Sequence, residues 1–177
     1  MIVRAALCSV AGFVLLATSV PATAQDFDPA ALDLPALVEC RADVPTYNSL
    51  ALWLTGESDA AGKLGWRKVD SGNPFLSQYE LEKPLAAFGM ATKTLVFTSS
   101  GPMAVLDGTA ATDLAKKIGV EPMISNPQKF LGEKVVSENT ETSEGVTLAT
   151  RISLNVSTVE THPGKVLAGC SYTMEIK

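Results

Sequence analysis

The stretch Val166-Leu167-Ala168-Gly169-Cys170-Ser171-Tyr172-Thr173-Met174-Glu175-Ile176 decides the fold. Val166, Ala168, Cys170, Tyr172, Met174 and Ile176 share one parity, and in an extended chain every second side chain falls on the same face. The stretch is therefore a strand, with Cys170 turned into a core. Directly upstream, His162-Pro163-Gly164-Lys165 has the form of a type II turn. Before that turn Leu148, Ile152, Leu154 and Val156 again share a parity. The two segments make an antiparallel pair closing the chain.

Reading outward from this pair, Glu133 to Asn139 forms a further strand, joined to the pair by a polar turn at Glu141–Gly145, and Pro122, Asn126 and Pro127 mark a loop. Ala111, Leu114, Ala115 and Ile118 recur at i, i+3, i+4 and i+7, so Thr109 to Ile118 is a helix stopped by Gly119. Leu64 to Val69, Phe75 to Leu81, Thr92 to Thr98 and Met103 to Asp107 read as four strands. Asp70-Ser71-Gly72-Asn73-Pro74 is the first turn between them, Pro84 should end the second strand, and Ser99-Ser100-Gly101-Pro102 joins the last two. Two helices come first. Asp33 caps one whose apolar side is Leu34, Leu37, Val38 and Cys40, ending before Pro45; Thr46 caps the next, which carries Leu50, Trp53 and Leu54 and closes at Gly56.

This order lacks the strict strand and helix alternation that builds parallel sheets. It predicts an α+β fold: an antiparallel sheet of about seven strands in two meanders, flanking helices and one disulfide. Each half reads as a helix followed by a meander, although no residue-level periodicity marks a repeat.

The amino terminus sets the compartment. Arg4, the apolar run Ala5–Val20 and the small-residue pattern Ala22-Thr23-Ala24 read as a signal peptide over residues 1–24, cut before Gln25. The run is 16 residues, short of the roughly 20 needed to span a bilayer. The mature chain, residues 25–177, is then a single domain with a mobile lead-in to Leu32, periplasmic or secreted, with no transmembrane segment. Cleavage removes Arg4 and no acid, moving the net charge from −5 to −6. With no basic cluster, that acidity disfavours nucleic acid and anionic membranes as partners. Cys8 leaves with the peptide, so Cys40 and Cys170, 130 positions apart, remain to form the disulfide.

Chemistry-bearing patterns are sparse. His162 is the single histidine, stands in an exposed turn and has no second ligand nearby, which argues against both a triad and a metal site. Thr98-Ser99-Ser100-Gly101 lacks the strand-turn-helix setting of a nucleophile elbow. Glu80 and Glu82 are expected on the solvated side of their strand, and Asp70-Ser71-Gly72-Asn73 breaks off before a calcium loop is complete. No cofactor fingerprint occurs, so no cofactor is expected.

One connection is unusual because it is apolar: Leu85-Ala86-Ala87-Phe88-Gly89-Met90-Ala91. It either caps the core or presents Phe88 and Met90 to a partner. These features together lead to the expectation of an exported, non-enzymatic binding protein, an inhibitor of an exported enzyme being one form, with a protein of the cell envelope as partner. The alternative is an envelope accessory or assembly protein, or a carrier holding a peptide or lipid in a groove between sheet and helices. A hydrolase working through carboxylates alone comes third.

Overall fold

The computed structural model describes residues 27–177, so the expected signal peptide and the cut before Gln25 lie outside the described residues. The chain runs through a 3-10 turn at Pro29–Ala31, helices α1 (Leu34–Val38), α2 (Val44–Gly56) and α3 (Ala60–Lys63), then strands β1 (Trp66–Val69), β2 (Ser77–Ala87), β3 (Met90–Phe97) and β4 (Pro102–Leu106). Helix α4 (Ala111–Ile118) follows, then β5 (Glu121–Ser125), β6 (Phe130–Ser143), β7 (Val146–Ser157) and β8 (Val166–Ile176). All eight strands form one antiparallel sheet in the order β1-β2-β3-β4-β8-β7-β6-β5. The expected seven strands become eight because Glu121–Ser125, read as loop, pairs with β6. All five of its residues are exposed, so no alternation was there to be seen.

The strand order reads as 1-2-3-4 from one edge and 5-6-7-8 from the other, with β4 and β8 meeting antiparallel in the middle. A pseudo-twofold axis between these two strands relates a helix-plus-meander unit to a second one. The correspondence extends to details. The second strand of each meander is irregular, between Glu80 and Leu85 and between Val135 and Ser137. Each second hairpin turns on a non-glycine followed by glycine, Phe88-Gly89 and Glu144-Gly145, all at positive φ.

The axis demands close backbone approach. A Cβ on Gly169 would lie 2.1 Å from the Pro102 carbonyl oxygen, and one on Gly101 would lie 1.9 Å from that of Cys170. Only glycine lets β4, its preceding turn and β8 meet there.

The helices cover one face. Leu37, Val38, Val44, Tyr47, Leu50, Leu114 and Ala115 pack on Tyr79, Leu95, Leu106, Val156, Ala168 and Tyr172 in the main core. Cys40 and Cys170 are joined there, with Cα atoms 5.1 Å apart. Cys40 stands just beyond α1 rather than within it, in the left-handed region at φ 57°. Tyr47 stacks on Tyr172 at 5.0 Å, and the buried Tyr172 hydroxyl donates to the Leu37 carbonyl at 2.8 Å. Burial pushes the Tyr172 phenol well above its ordinary pKa.

Several expected boundaries move. Asp43, not Thr46, caps α2 by accepting from the Thr46 N–H at 2.8 Å. Pro45 sits inside the first turn, where its missing N–H removes no helical bond. Pro84 does not end β2: it falls in the irregular segment between Glu80 and Leu85, where a missing donor interrupts no ladder. The lead-in is ordered from Phe27, whose ring packs 5.2 Å from Trp53.

Behind the sheet a second, smaller cluster of Val96, Met103, Val105 and Leu167 is covered by Leu76 and Val159, from the β1–β2 and β7–β8 loops. Covered from both sides, β4 is buried along its whole length. Among the described residues no helix is long and apolar enough to cross a membrane.

Candidate functional site

The ladders sort the loops into two ends. Ser77 pairs with Phe97, Phe97 with Pro102 and Met103 with Gly169, so the β1–β2 loop, the β3–β4 turn and the carboxyl end of β8 lie at one end of the sheet. Leu148 pairs with Ile176, which brings the Glu144-Gly145 tip to that same end. The Phe88-Gly89 tip lies at the other.

The Phe88 end is closed. Ala87 and Met90 are paired, leaving a two-residue loop with φ of 56° at Phe88 and 79° at Gly89. That backbone matches strand twist but strains a bulky residue, which is why Asn, Asp or Gly normally occupies the first position. Three contacts hold Phe88 in place. Its ring is buried in the main core at 8% exposure, its N–H donates to Glu39 Oε1 at 2.7 Å, and its carbonyl accepts from Lys117 Nζ at 2.9 Å. Glu39 follows α1 and Lys117 belongs to α4, so this tip ties the helices of both halves together. Met90 is half-buried against the core.

The opposite end is open. Tyr172 donates its N–H to the Ser100 carbonyl at 2.7 Å, and beyond it β8 pairs only with β7. Strand β5 pairs with β6 only over Phe130–Glu133, so from Lys134 to Ser143 the outer side of β6 has no partner strand among the described residues. The end of β6–β7–β8 therefore projects past the rest of the sheet. On its helix-side face Val146, Leu148, Met174 and Ile176 continue the parity of the core, yet Val146, Met174 and Ile176 are 52%, 53% and 76% exposed, beyond the start of α2, whose first-turn Tyr47 stacks on Tyr172.

The reverse face of the projection is polar. Arg151 donates to Glu133 Oε1 at 2.7 Å and to Glu138 Oε1 at 2.9 Å, beside a groove of about 210 Å³ reaching Thr140, Thr173 and Glu175. The hydrogen bond from Arg151 holds the Glu133 carboxyl below its ordinary pKa. Such a carboxylate stays ionised at neutral pH and is a poor proton donor there. Ser171 links this face to the first half, accepting from Ser100 Oγ at 3.1 Å and from Asn155 Nδ2 at 3.0 Å.

The remaining sequence candidates are dispersed. Glu80 accepts from Thr94 Oγ1 at 3.1 Å, while Glu82 is exposed. His162 does open a turn, with the Lys165 N–H on its carbonyl and Gly164 at φ 72°. Its ring is half-buried rather than free: Nε2 lies 2.9 Å from Gln78 Oε1 and Nδ1 3.0 Å from Thr161 Oγ1. With the proton on Nε2, the neutral imidazole donates to Gln78 and accepts from Thr161. Burial lowers its pKa from 6.5. Among the described residues no group of three or more His, Cys, Asp and Glu is placed to hold a metal ion.

Two features of the open end escaped the sequence. Parity put Met174 and Ile176 on the core side without showing that no helix covers them. Phe75, read as the start of a strand, stays in the β1–β2 loop at 83% exposure, and the Asn73-Pro74 pair before it was the signal for that. No protein-family model, curated protein or solved structure matches this chain, so its geometry alone carries the functional reading.

Proposed function

We propose that the chain is an exported, non-enzymatic binding protein that recognises another protein of the cell envelope, inhibition of an exported enzyme being one form of that activity. The observation that carries this reading is the apolar face left uncovered at the projecting end of β7 and β8. Val146, Met174 and Ile176 are exposed together on that face, whereas the Phe88 ring is buried and its tip is pinned. Soluble chains rarely leave large apolar side chains gathered in one region unless that region meets another surface. The unpaired outer edge of β6 adds backbone donors and acceptors to which a partner segment can add as a strand. The disulfide suits the oxidising compartment that the expected signal peptide implies.

The carrier reading has less support. Leu37, Leu50, Leu106 and Leu114 fill the space between sheet and helices with almost no exposure, which leaves little room there for a lipid or peptide.

The test is retention of envelope proteins by the purified mature chain, run beside the double variant Met174→Asp/Ile176→Asp. The expected result is a discrete protein held by the parent chain and lost by the variant, with equal thermal midpoints for both. A parent chain that holds nothing, or a variant that holds the same protein equally well, would count against the proposal.

A further inference from the structure

The aspartates and asparagines of this chain that bond to backbone nitrogen mostly reach past their next residue. Asp33 and Asp43 cap helices by accepting from the N–H three residues on, that of Ala36 at 2.9 Å and that of Thr46 at 2.8 Å. Asp28, Asp70 and Asn73 accept from the N–H two residues on, the ordinary turn pattern for these side chains. Asp107 differs. Its Oδ1 accepts from the N–H of Gly108, the very next residue, at 3.0 Å, and among the described residues it is the one aspartate or asparagine to do so.

The consequence is chemical. A hydrogen bond to the next peptide nitrogen places that nitrogen beside the carboxyl carbon, the approach that ring closure between them needs. Three further features favour closure. Asp107-Gly108 is the only pair in the sequence in which glycine follows aspartate or asparagine, so no β-carbon on the following residue crowds the ring. A Cβ built on Gly108 would meet nothing within 4 Å, and the Asp107 side chain is 74% exposed. Strand β4 ends at Leu106 and α4 begins at Ala111, so the Gly108 N–H belongs to no ladder that closure would have to break. One contact opposes it. Lys165 Nζ donates to Asp107 Oδ2, and that bond, with the lysine charge behind it, holds the carboxyl below its ordinary pKa. A carboxylate is a poor electrophile; closure uses the neutral acid, which this bond disfavours.

We propose that Asp107-Gly108 is a site of spontaneous backbone isomerisation and that Lys165 restrains its rate. The Gly108 nitrogen bonds to Asp107 Cγ and loses its proton, the carboxyl hydroxyl departs with a proton as water, and a cyclic imide remains. Water then opens the imide at either carbonyl. Attack at Cγ restores aspartate. Attack at the main-chain carbonyl carbon leaves isoaspartate, with the chain running through Cβ and Cγ and a free carboxylate on Cα. No co-reactant other than water enters. The site lies one residue past the Leu106 and Val166 pair that ends the central β4–β8 ladder. The product therefore lengthens the main chain where the two halves of the molecule join, and it displaces the carboxylate that Lys165 holds. The inference stands apart from the binding-protein reading, since neither residue belongs to the projecting strands.

The test incubates the folded, purified chain at neutral pH in heavy-oxygen water, so that each opening of an imide leaves one heavy oxygen behind, and locates the label by mass spectrometry with peptide fragmentation. The expected result is label at position 107 at least tenfold above that at any other aspartate, with an isoaspartate form of the same peptide resolved by chromatography. Lys165→Met should raise the rate at 107 at least threefold with an unchanged denaturation midpoint. Asp107→Glu, whose longer side chain cannot close the same five-membered ring, should take up no label there. Label spread evenly over the aspartates, or absent from 107, would overturn the isomerisation, and a rate unmoved by Lys165→Met would overturn the role given to Lys165.

Discussion

Phe88-Gly89 and Glu144-Gly145 occupy equivalent places in the two halves and share a backbone, φ 56° and 79° against 52° and 82°, yet one is anchored in the core and the other stands exposed. At the first, a ring enters the core while a glutamate and a lysine from two helices grip the backbone. At the second, Glu144 and Gly145 are exposed, and a Cβ on Gly145 would meet nothing within 4 Å. The same local geometry is thus sustained in two ways, by tertiary contacts at one tip and, at the other, by strand pairing with the Thr142–Thr147 hydroxyl contact across the hairpin. Positive φ in a non-glycine residue does not by itself say that a turn is functional. What surrounds it decides.

The largest expected effect comes from deleting both side chains in parallel. Phe88→Ala empties a buried aromatic site and keeps the strained backbone, so it should cost roughly 3–5 kcal/mol. Glu144→Ala should stay within about 0.5 kcal/mol, as exposed substitutions usually do. Urea melts of the two variants decide the matter. A small loss at Phe88 would mean that its ring is not a core element, and would return the tip to the list of partner contacts beside Met90.

The lysine grip is the next test. Lys117→Met retains the aliphatic stem and removes the donor to the Phe88 carbonyl, a charge-assisted bond on a partly buried acceptor. A loss of about 1–2 kcal/mol is expected. Because this contact crosses from the second half to the first, its loss should couple to Phe88→Ala: the double variant should lose measurably less than the two single losses added together. Strict additivity would show that the carbonyl contact does not help to hold the ring.

A smaller effect concerns the clasp behind the sheet. Burial depresses the His162 pKa below 6.5, so in the window just beneath that value the unfolded chain binds a proton that the folded chain refuses. Stability should therefore be full above pH 6.5 and fall as pH drops through the window, with a magnitude below about 1 kcal/mol for a half-buried ring. The chain has one histidine, so His162→Gln should remove this component of the pH dependence while the part due to Glu133 at lower pH remains. An unchanged slope near pH 6 in the variant would assign the effect to another group.

How far these features could be read from the chain depends on what kind of information each needs. The β7–β8 pair was legible because Leu154, Val156, Ala168, Cys170 and Tyr172 alternate, and the disulfide because two cysteines outside the expected signal peptide have one pairing. Strand β5 was hidden because every residue in it is exposed, and Pro45 and Pro84 were overread as stops at places where no backbone donor was needed. Alternation says which face a side chain takes but not whether anything covers that face. Met174 and Ile176 therefore looked like core, and for Phe88 the apolar stretch left a core cap and a partner contact both open, of which its burial matches the first.

The smallest expected effect makes the sharpest use of the two tips, because it asks one substitution to act in opposite directions. Asparagine tolerates the left-handed region better than glutamate, and Asn-Gly is the favoured pair for a two-residue turn of this kind. At the open tip nothing depends on the Glu144 side chain, so Glu144→Asn should stabilise by about 0.5 kcal/mol, raising Tm by roughly 1–2 °C for a chain of this size. Phe88→Asn makes the same improvement to the backbone and should still lose several kcal/mol, because it strips the ring from the core and leaves a polar group in its place. Differential scanning calorimetry of both variants at one pH reads the two signs directly. If Glu144→Asn lowers Tm, the glutamate has contacts that its exposure does not reveal and the open tip is not governed by backbone geometry alone; if Phe88→Asn is neutral, the closed tip is no more anchored than its counterpart.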